Sequence, residues 1–152
     1  MIHRHLIAII TLALAFPSVA SAQGANQRQE VLTFVKAYVD AINRADMTAY
    51  VDMYAQQRDL IVASDGQVTR GWEAVRDEAN QMMGTEGFYR ISAGVVDVVI
   101  LSPDLAIAVF PFAANVTTQE GPVQFRGAMT LVLRKTAEGW RIIHEHSSTA
   151  TP

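Results

Sequence analysis

Residues 89–147 read YRISAGVVDVVILSPDLAIAVFPFAANVTTQEGPVQFRGAMTLVLRKTAEGWRIIHEHS, and this stretch decides the fold. It is rich in β-branched and apolar residues. It is cut by Ser102-Pro103-Asp104, Gln119-Glu120-Gly121-Pro122 and Ala137-Glu138-Gly139. Short polar clusters with Pro or Gly make turns, so 89–101, 105–118, 123–135 and 140–147 read as strands joined by hairpins. Hairpin connections place consecutive strands side by side and antiparallel.

Working outward, the residues before this stretch carry a helical period. Val31, Phe34, Val35, Tyr38, Val39 and Ile42 fall on one stripe of a helix beginning near Gln29. Asp46 is a suitable N-cap for a second, short helix with Met47, Tyr50, Val51 and Tyr54 on it. Asp59 to Ser64 reads as a strand entering a tight Asp65-Gly66 turn. A third helix is expected from about Gly71 to Met83, with Thr69 as a cap, Trp72, Val75, Ala79 and Met82 or Met83 inward, and Gly84 and Gly87 ending it. Helices first and a meander of long strands after them make an α+β domain, with the helices packed on one face of a curved sheet.

The N-terminus, MIHRHLIAIITLALAFPSVASAQG, reads as a cleavable signal peptide over residues 1–22. His3, Arg4 and His5 form a basic start, Leu6 to Phe16 is apolar apart from Thr11, and Ala20-Ser21-Ala22 supplies the small residues of a cleavage site. Eleven helical residues span about 16 Å, roughly half of a hydrocarbon core, so the run is too short for a membrane anchor. Cleavage would leave 130 residues starting at Gln23, in a periplasmic or secreted location. Residues 23–28 then form a polar, flexible start, 29–148 the domain and 149–152 a tail. The full chain has a formal net charge of −3, and loss of Arg4 takes the remainder to −4. A mildly acidic chain without a basic cluster does not suit nucleic acid or an anionic membrane. With no cysteine there is no disulfide, thiol nucleophile, Cys-type zinc site or lipoprotein anchor.

Three segments carry a family likeness. They are FVKAYVDAINRADMTAYVDMYA (34–55), VASDGQVTRGWEAVRDE (62–78) and LVLRKTAEGWRIIHEHSS (131–148). In order and spacing they resemble the nuclear transport factor 2-like superfamily, and within it the SnoaL-like and ketosteroid-isomerase-like proteins. The resemblance implies a cone: three N-terminal helices in a strongly curved, mainly antiparallel sheet, with a pocket at the open end and a homodimer as a common assembly. It covers isomerases, cyclases, dehydratases and domains that only bind or assemble, so it leaves the activity open.

The resemblance also nominates residues. Tyr38 matches the tyrosine that donates to a developing enolate in ketosteroid isomerases. Asp65 is the carboxylate nearest the expected base, and equally suits the turn beside Gly66. Thr130 stands where the isomerase keeps a protonated aspartate. Tyr54 falls where relatives place a pocket aromatic. Trp72 is expected at the helix–sheet junction or the pocket wall. Arg126 shares a strand face with Ala128 and Thr130, within reach of an anionic group at the pocket mouth. Strict alternation puts His144 and His146 on one side of the last strand with Trp140 and Ile142, and Glu145 on the other, unless a bulge intervenes. Either histidine suits a general acid or base, His146 foremost, or a place on the cavity or dimer face. No third ligand stands at a recognisable spacing, so neither a metal nor another cofactor is expected. The reading is a pocket for a small hydrophobic molecule. The alternatives are an isomerase, cyclase or dehydratase using Tyr38 and a histidine, with Asp65 and Thr130 nearby, and a homodimeric assembly domain.

Overall fold

The computed structural model describes residues 19–84, 89–118 and 120–150. Residues 1–18, most of the signal-peptide segment, lie outside them, as do Gly87, the side chains of Met82 and Met83, and the last two residues of the tail. None of the described helices is long and apolar enough to cross a membrane.

The described residues form three helices, α1 (Val19–Asn43), α2 (Met47–Asp52) and α3 (Trp72–Gly84). They form seven strands: β1 (Ile61–Ser64), β2 (Gln67–Arg70), β3 (Tyr89–Ala93), β4 (Asp97–Ser102), β5 (Leu105–Thr118), β6 (Gly121–Thr136) and β7 (Gly139–Thr149). The strands make one sheet in the order β2-β1-β7-β6-β5-β3, and β4 pairs the first half of β5 alongside β3. The β5–β6 and β6–β7 pairs are the expected antiparallel hairpins, whereas β1 joins β7 in parallel. This is the α+β cone: a large curved sheet around three helices.

The apolar stripe of α1 packs as its period requires. Val31, Val35 and Tyr38 are fully buried, and Phe34, Val39 and Ile42 pack at the edge of the core. Burying a side chain of this size stabilises by about 1.5–3 kcal/mol. Against them sit Phe110, Leu131, Leu133 and Ile142 from the concave face of the sheet. Asp46 caps α2 as expected, its carboxylate accepting from the Ala49 amide at 3.0 Å. Asp65 and Gly66 turn the β1–β2 hairpin with φ of 46° and 87°, a left-handed pair that tight hairpins need.

Four local expectations change. Residues 23–28 are helical rather than flexible, because Gln27 donates to the Pro103 carbonyl (2.6 Å) and Arg28 to the Val98 carbonyl (2.7 Å). At the other end, β7 runs on to Thr149, and the Ala150 amide bonds the Arg126 carbonyl. Thr69 is part of β2, and its hydroxyl bonds Glu78 (2.6 Å) instead of capping α3. The strand expected over 89–101 is two strands, broken at Gly94, where the Pro111 side chain approaches too closely for a Cβ.

Candidate functional site

The three helices and the concave face of the sheet leave an open space between them. There a cavity of about 640 Å³ opens. Its walls are mainly apolar and aromatic: Ile42 and Met47 from the first two helices, Val75 and Ala79 from α3, Phe112, Phe125 and Met129 from the sheet. Phe112 and Phe125 meet edge to face with ring centres 6.4 Å apart.

The polar centre of the cavity is Glu145. Its side chain is almost completely buried, at 5% exposure. Tyr38 donates to its Oε2 at 3.1 Å and Tyr54 donates to the same oxygen at 2.5 Å. The Tyr50 hydroxyl lies 2.6 Å from that of Tyr54, so the three phenols and the carboxylate form one hydrogen-bonded group. Among the described residues no Lys, Arg or His makes an ion pair with Glu145. No fully buried side-chain polar atom is without a partner among them either. Both tyrosines engage Oε2, so Oε1 is the atom left to the cavity that Glu145 lines.

Burial without a cation raises the Glu145 pKa above its ordinary 4.5; the bonds from Tyr54 and Tyr38 pull it back, and nearby Glu78 pushes it up. Burial raises Tyr38 and Tyr54 well above the ordinary tyrosine value, with the Glu145 charge adding to it. The phenols therefore stay protonated donors. A carboxyl of this kind can take up and return a proton, or hold a cation, at the end of an apolar pocket.

A bulge puts Glu145 there. Val132 of β6 faces His144, but the next residue, Leu133, faces Ile142, so Ile143 is an extra residue in β7. Trp140 and Ile142 point into the core; beyond Ile143 the parity inverts and Glu145 points in. The bulge sits where β7 changes neighbours, from Met53–Ala55, which bond Ile142, to β1, which begins opposite His144.

The structure therefore divides the nominated residues. Tyr38, Tyr54 and Asp65 line the cavity. Asp65 stands at its mouth, its carboxylate accepting from the amide (2.8 Å) and hydroxyl (3.1 Å) of Thr149. The hydroxyl of Tyr38 is directed at Glu145 rather than left for a ligand oxygen. Trp72 is half-buried at the α2–α3 junction, its indole nitrogen 3.4 Å from the Val51 carbonyl, and does not line the cavity. Arg126, Thr130, His144 and His146 do come together, but on the outer face: Thr130 pairs with His146, and Val132 with His144. None of the four lines the cavity. The expected grouping of both histidines with Trp140 and Ile142 is thus corrected by the Ile143 bulge. Among the described residues no group of three or more His, Cys, Asp or Glu gathers as a metal cluster would.

Glu145 was not among the nominated site residues. One signal bears on it: the adjacent isoleucines 142 and 143 break strict alternation just before His-Glu-His.

Comparisons agree with this architecture. A family model described as "SnoaL-like domain" matches residues 31–152. No curated protein matches the chain. Among solved structures, a nuclear transport factor 2-like superfamily protein from Salmonella enterica serovar Typhimurium is 18% identical with a TM-score of 0.75, covering 85% of this chain and 94% of that one. A ketosteroid isomerase-like protein from Erwinia carotovora atroseptica is 21% identical with a TM-score of 0.72, covering 82% and 96%. A proposed dehydratase of the same superfamily from Streptomyces avermitilis is 17% identical with a TM-score of 0.77, covering 85% and 99%. At such identities the likeness is one of fold. With the family match spanning most of its length, this chain belongs to the SnoaL-like domain family.

Proposed function

We propose that this chain is an exported small-molecule-binding domain whose cavity takes a mostly apolar molecule with one polar end. The observation that carries the reading is the distribution of polarity. An apolar, aromatic cavity of about 640 Å³ has one deeply buried carboxylate that accepts from two tyrosine hydroxyls, a third hydroxyl, that of Tyr50, being bonded to one of them. Ligand sites of a few hundred Å³ with few, convergent polar groups have this form. The neutral dye N-phenyl-1-naphthylamine tests it by fluorescence. The wild type should bind the dye, and Ala79→Phe, which fills the cavity wall, should not while remaining folded. Equal binding by both proteins would place the dye elsewhere and remove the support.

A second reading is favoured by one observation, a buried carboxyl with no paired cation among the described residues that keeps an oxygen toward the cavity, where burial pushes its pKa up. In that reading the domain is an isomerase- or dehydratase-type enzyme in which Glu145 accepts a proton from the bound molecule and returns it. Tyr38 and Tyr54 would steady its charged form, and neither histidine would take part. Loss of turnover in Glu145→Gln with retained dye binding would support it; full turnover in that variant would end it.

Export rests on the signal-like residues 1–22, and N-terminal sequencing of protein from the periplasm or medium should return Gln23 as the first residue. Cleavage there keeps Gln27 and Arg28, with their bonds to the sheet, on the mature chain. A homodimer through the outer sheet face is supported by Val99 and Val109, exposed beside partly exposed Ile107 and Val132. Sedimentation of wild type against Val109→Lys tests it: a monomer at all concentrations for the wild type would exclude this assembly.

A further inference from the structure

The cavity is lopsided in charge. Among the described residues, the acids that line it are Asp65, Glu78 and Glu145, and no Lys, Arg or His lines it. Asp65 and Glu78 stand toward the entrance, where they also border an adjoining concavity of about 210 Å³. Each of those two has a partner for its carboxylate, Thr149 for Asp65 and Thr69 for Glu78. Glu145 lies deepest, is more than nine-tenths buried, and takes both tyrosine bonds on Oε2, so Oε1 is left toward the cavity with no hydrogen-bond partner among the described residues.

Resting on the binding-pocket reading above, we infer that the ligand is a cation, a mostly apolar molecule carrying a protonated amine that seats on Glu145 Oε1 with its body along the aromatic wall. An anionic ligand would face three carboxylates. A neutral one would leave the buried charge without a counter-charge, which is costly in a low-dielectric site. An ammonium supplies both the counter-charge and the donors that Oε1 lacks. The wall suits it as well. The Tyr38 and Tyr50 rings are 5.5 Å apart, those of Tyr50 and Tyr54 5.3 Å, and such faces attract a cation.

The test compares three probes of one shape, 4-phenylbutylamine, 4-phenylbutanol and 4-phenylbutyrate, by displacement of N-phenyl-1-naphthylamine from the mature chain at pH 7.5. The amine should bind at least about tenfold more tightly than the alcohol, equivalent to about 1.4 kcal/mol, and the carboxylate most weakly. In Glu145→Gln the ratio of amine to alcohol affinity, read within the one protein, should fall to about one. A wild-type control is independent of that variant's folding. The groups facing Glu145 are Tyr38 of α1, Tyr54, and Glu78 of α3, with Tyr50 of α2 bonded to Tyr54 behind them; its strand neighbours Val62 and Leu131 carry no charge. Protonation of Glu145 removes the counter-charge while the amine stays charged, so the advantage of the amine over the alcohol should shrink as the pH falls. Dye binding without preference for the amine overturns this inference alone, as does a preference that survives in Glu145→Gln. Failure of the dye and all three probes to bind overturns the pocket reading beneath it.

Discussion

Replacing Tyr54 by Phe removes one oxygen from the centre of the site and leaves the ring in place. That hydroxyl donates to Glu145 Oε2 at 2.5 Å and touches the Tyr50 hydroxyl at 2.6 Å. A hydrogen bond to a charged acceptor contributes about 1.5–3 kcal/mol, and one between neutral groups about 1 kcal/mol. The loss should therefore be about 2–3 kcal/mol when Glu145 is ionised and about 1 kcal/mol when it is protonated. The direction with pH follows from linkage. Burial raises the folded-state pKa of Glu145 above its ordinary 4.5, so the folded protein holds a proton that the unfolded chain releases. Stability then falls as the pH rises from that ordinary value through the folded-state value. Tyr54 donates to the charged form and lowers the folded-state value. Without it the value climbs, and the decline of the variant continues to higher pH. Urea unfolding of both proteins at pH 5 and pH 8, followed by tryptophan fluorescence, measures the gap, which should widen at pH 8. The same change made in a Glu145→Gln background should cost the same at both pH values. A loss in the wild-type background that is equal at pH 5 and pH 8 would refute the reasoning, because Glu145 would not be the partner that matters.

Three further outcomes follow from the same contacts. Glu145→Gln should be at least as stable as the wild type at pH 8, since an amide oxygen still accepts from Tyr38 and Tyr54 without a buried charge; denaturant titrations should show the advantage fading toward pH 5. Gly127→Ala should destabilise by about 1–3 kcal/mol, because the new Cβ would lie 2.2 Å from the Ser148 carbonyl oxygen and 2.7 Å from the Phe112 ring; a lowered Tm in calorimetry checks this. Asp46→Ala should cost about 1 kcal/mol in urea unfolding through loss of the α2 cap, while Lys36→Ala, which removes an exposed ion pair, should leave the unfolding midpoint nearly unchanged.

Much of the fold was legible because its signals are local. The α1 stripe, the Asp46 cap and the Asp65-Gly66 turn each depend on residues a few positions apart, and each forms as read. The turns at Pro103, Gly121 and Gly139 delimit the three long strands. The start of α1 was misplaced because polar residues 23–28 carry no apolar period. They are held by Gln27 and Arg28 reaching carbonyls 76 and 70 positions away. The parallel entry of β1 beside β7 was equally invisible, since a pairing between residues 61–64 and 144–147 leaves no mark in either segment.

The site shows the same division more sharply. Helical periodicity and family likeness nominated Tyr38 and Tyr54, and family likeness nominated Asp65; all three line the cavity. What they could not place was the partner of the tyrosines. In a strand each residue's face is set by counting, so one extra residue reverses every side chain beyond it. Whether Ile143 is that extra residue is settled by the neighbours of β7: residues 53–55 bond Ile142 on one side, and Val132 pairs with His144 on the other. Chain chemistry alone marked the α1 stripe, the Asp46 cap, the Asp65-Gly66 turn and the three long strands of this protein. Only their assembly turned Glu145 inward and the two histidines outward, because the register of a strand belongs to the sheet and not to the strand.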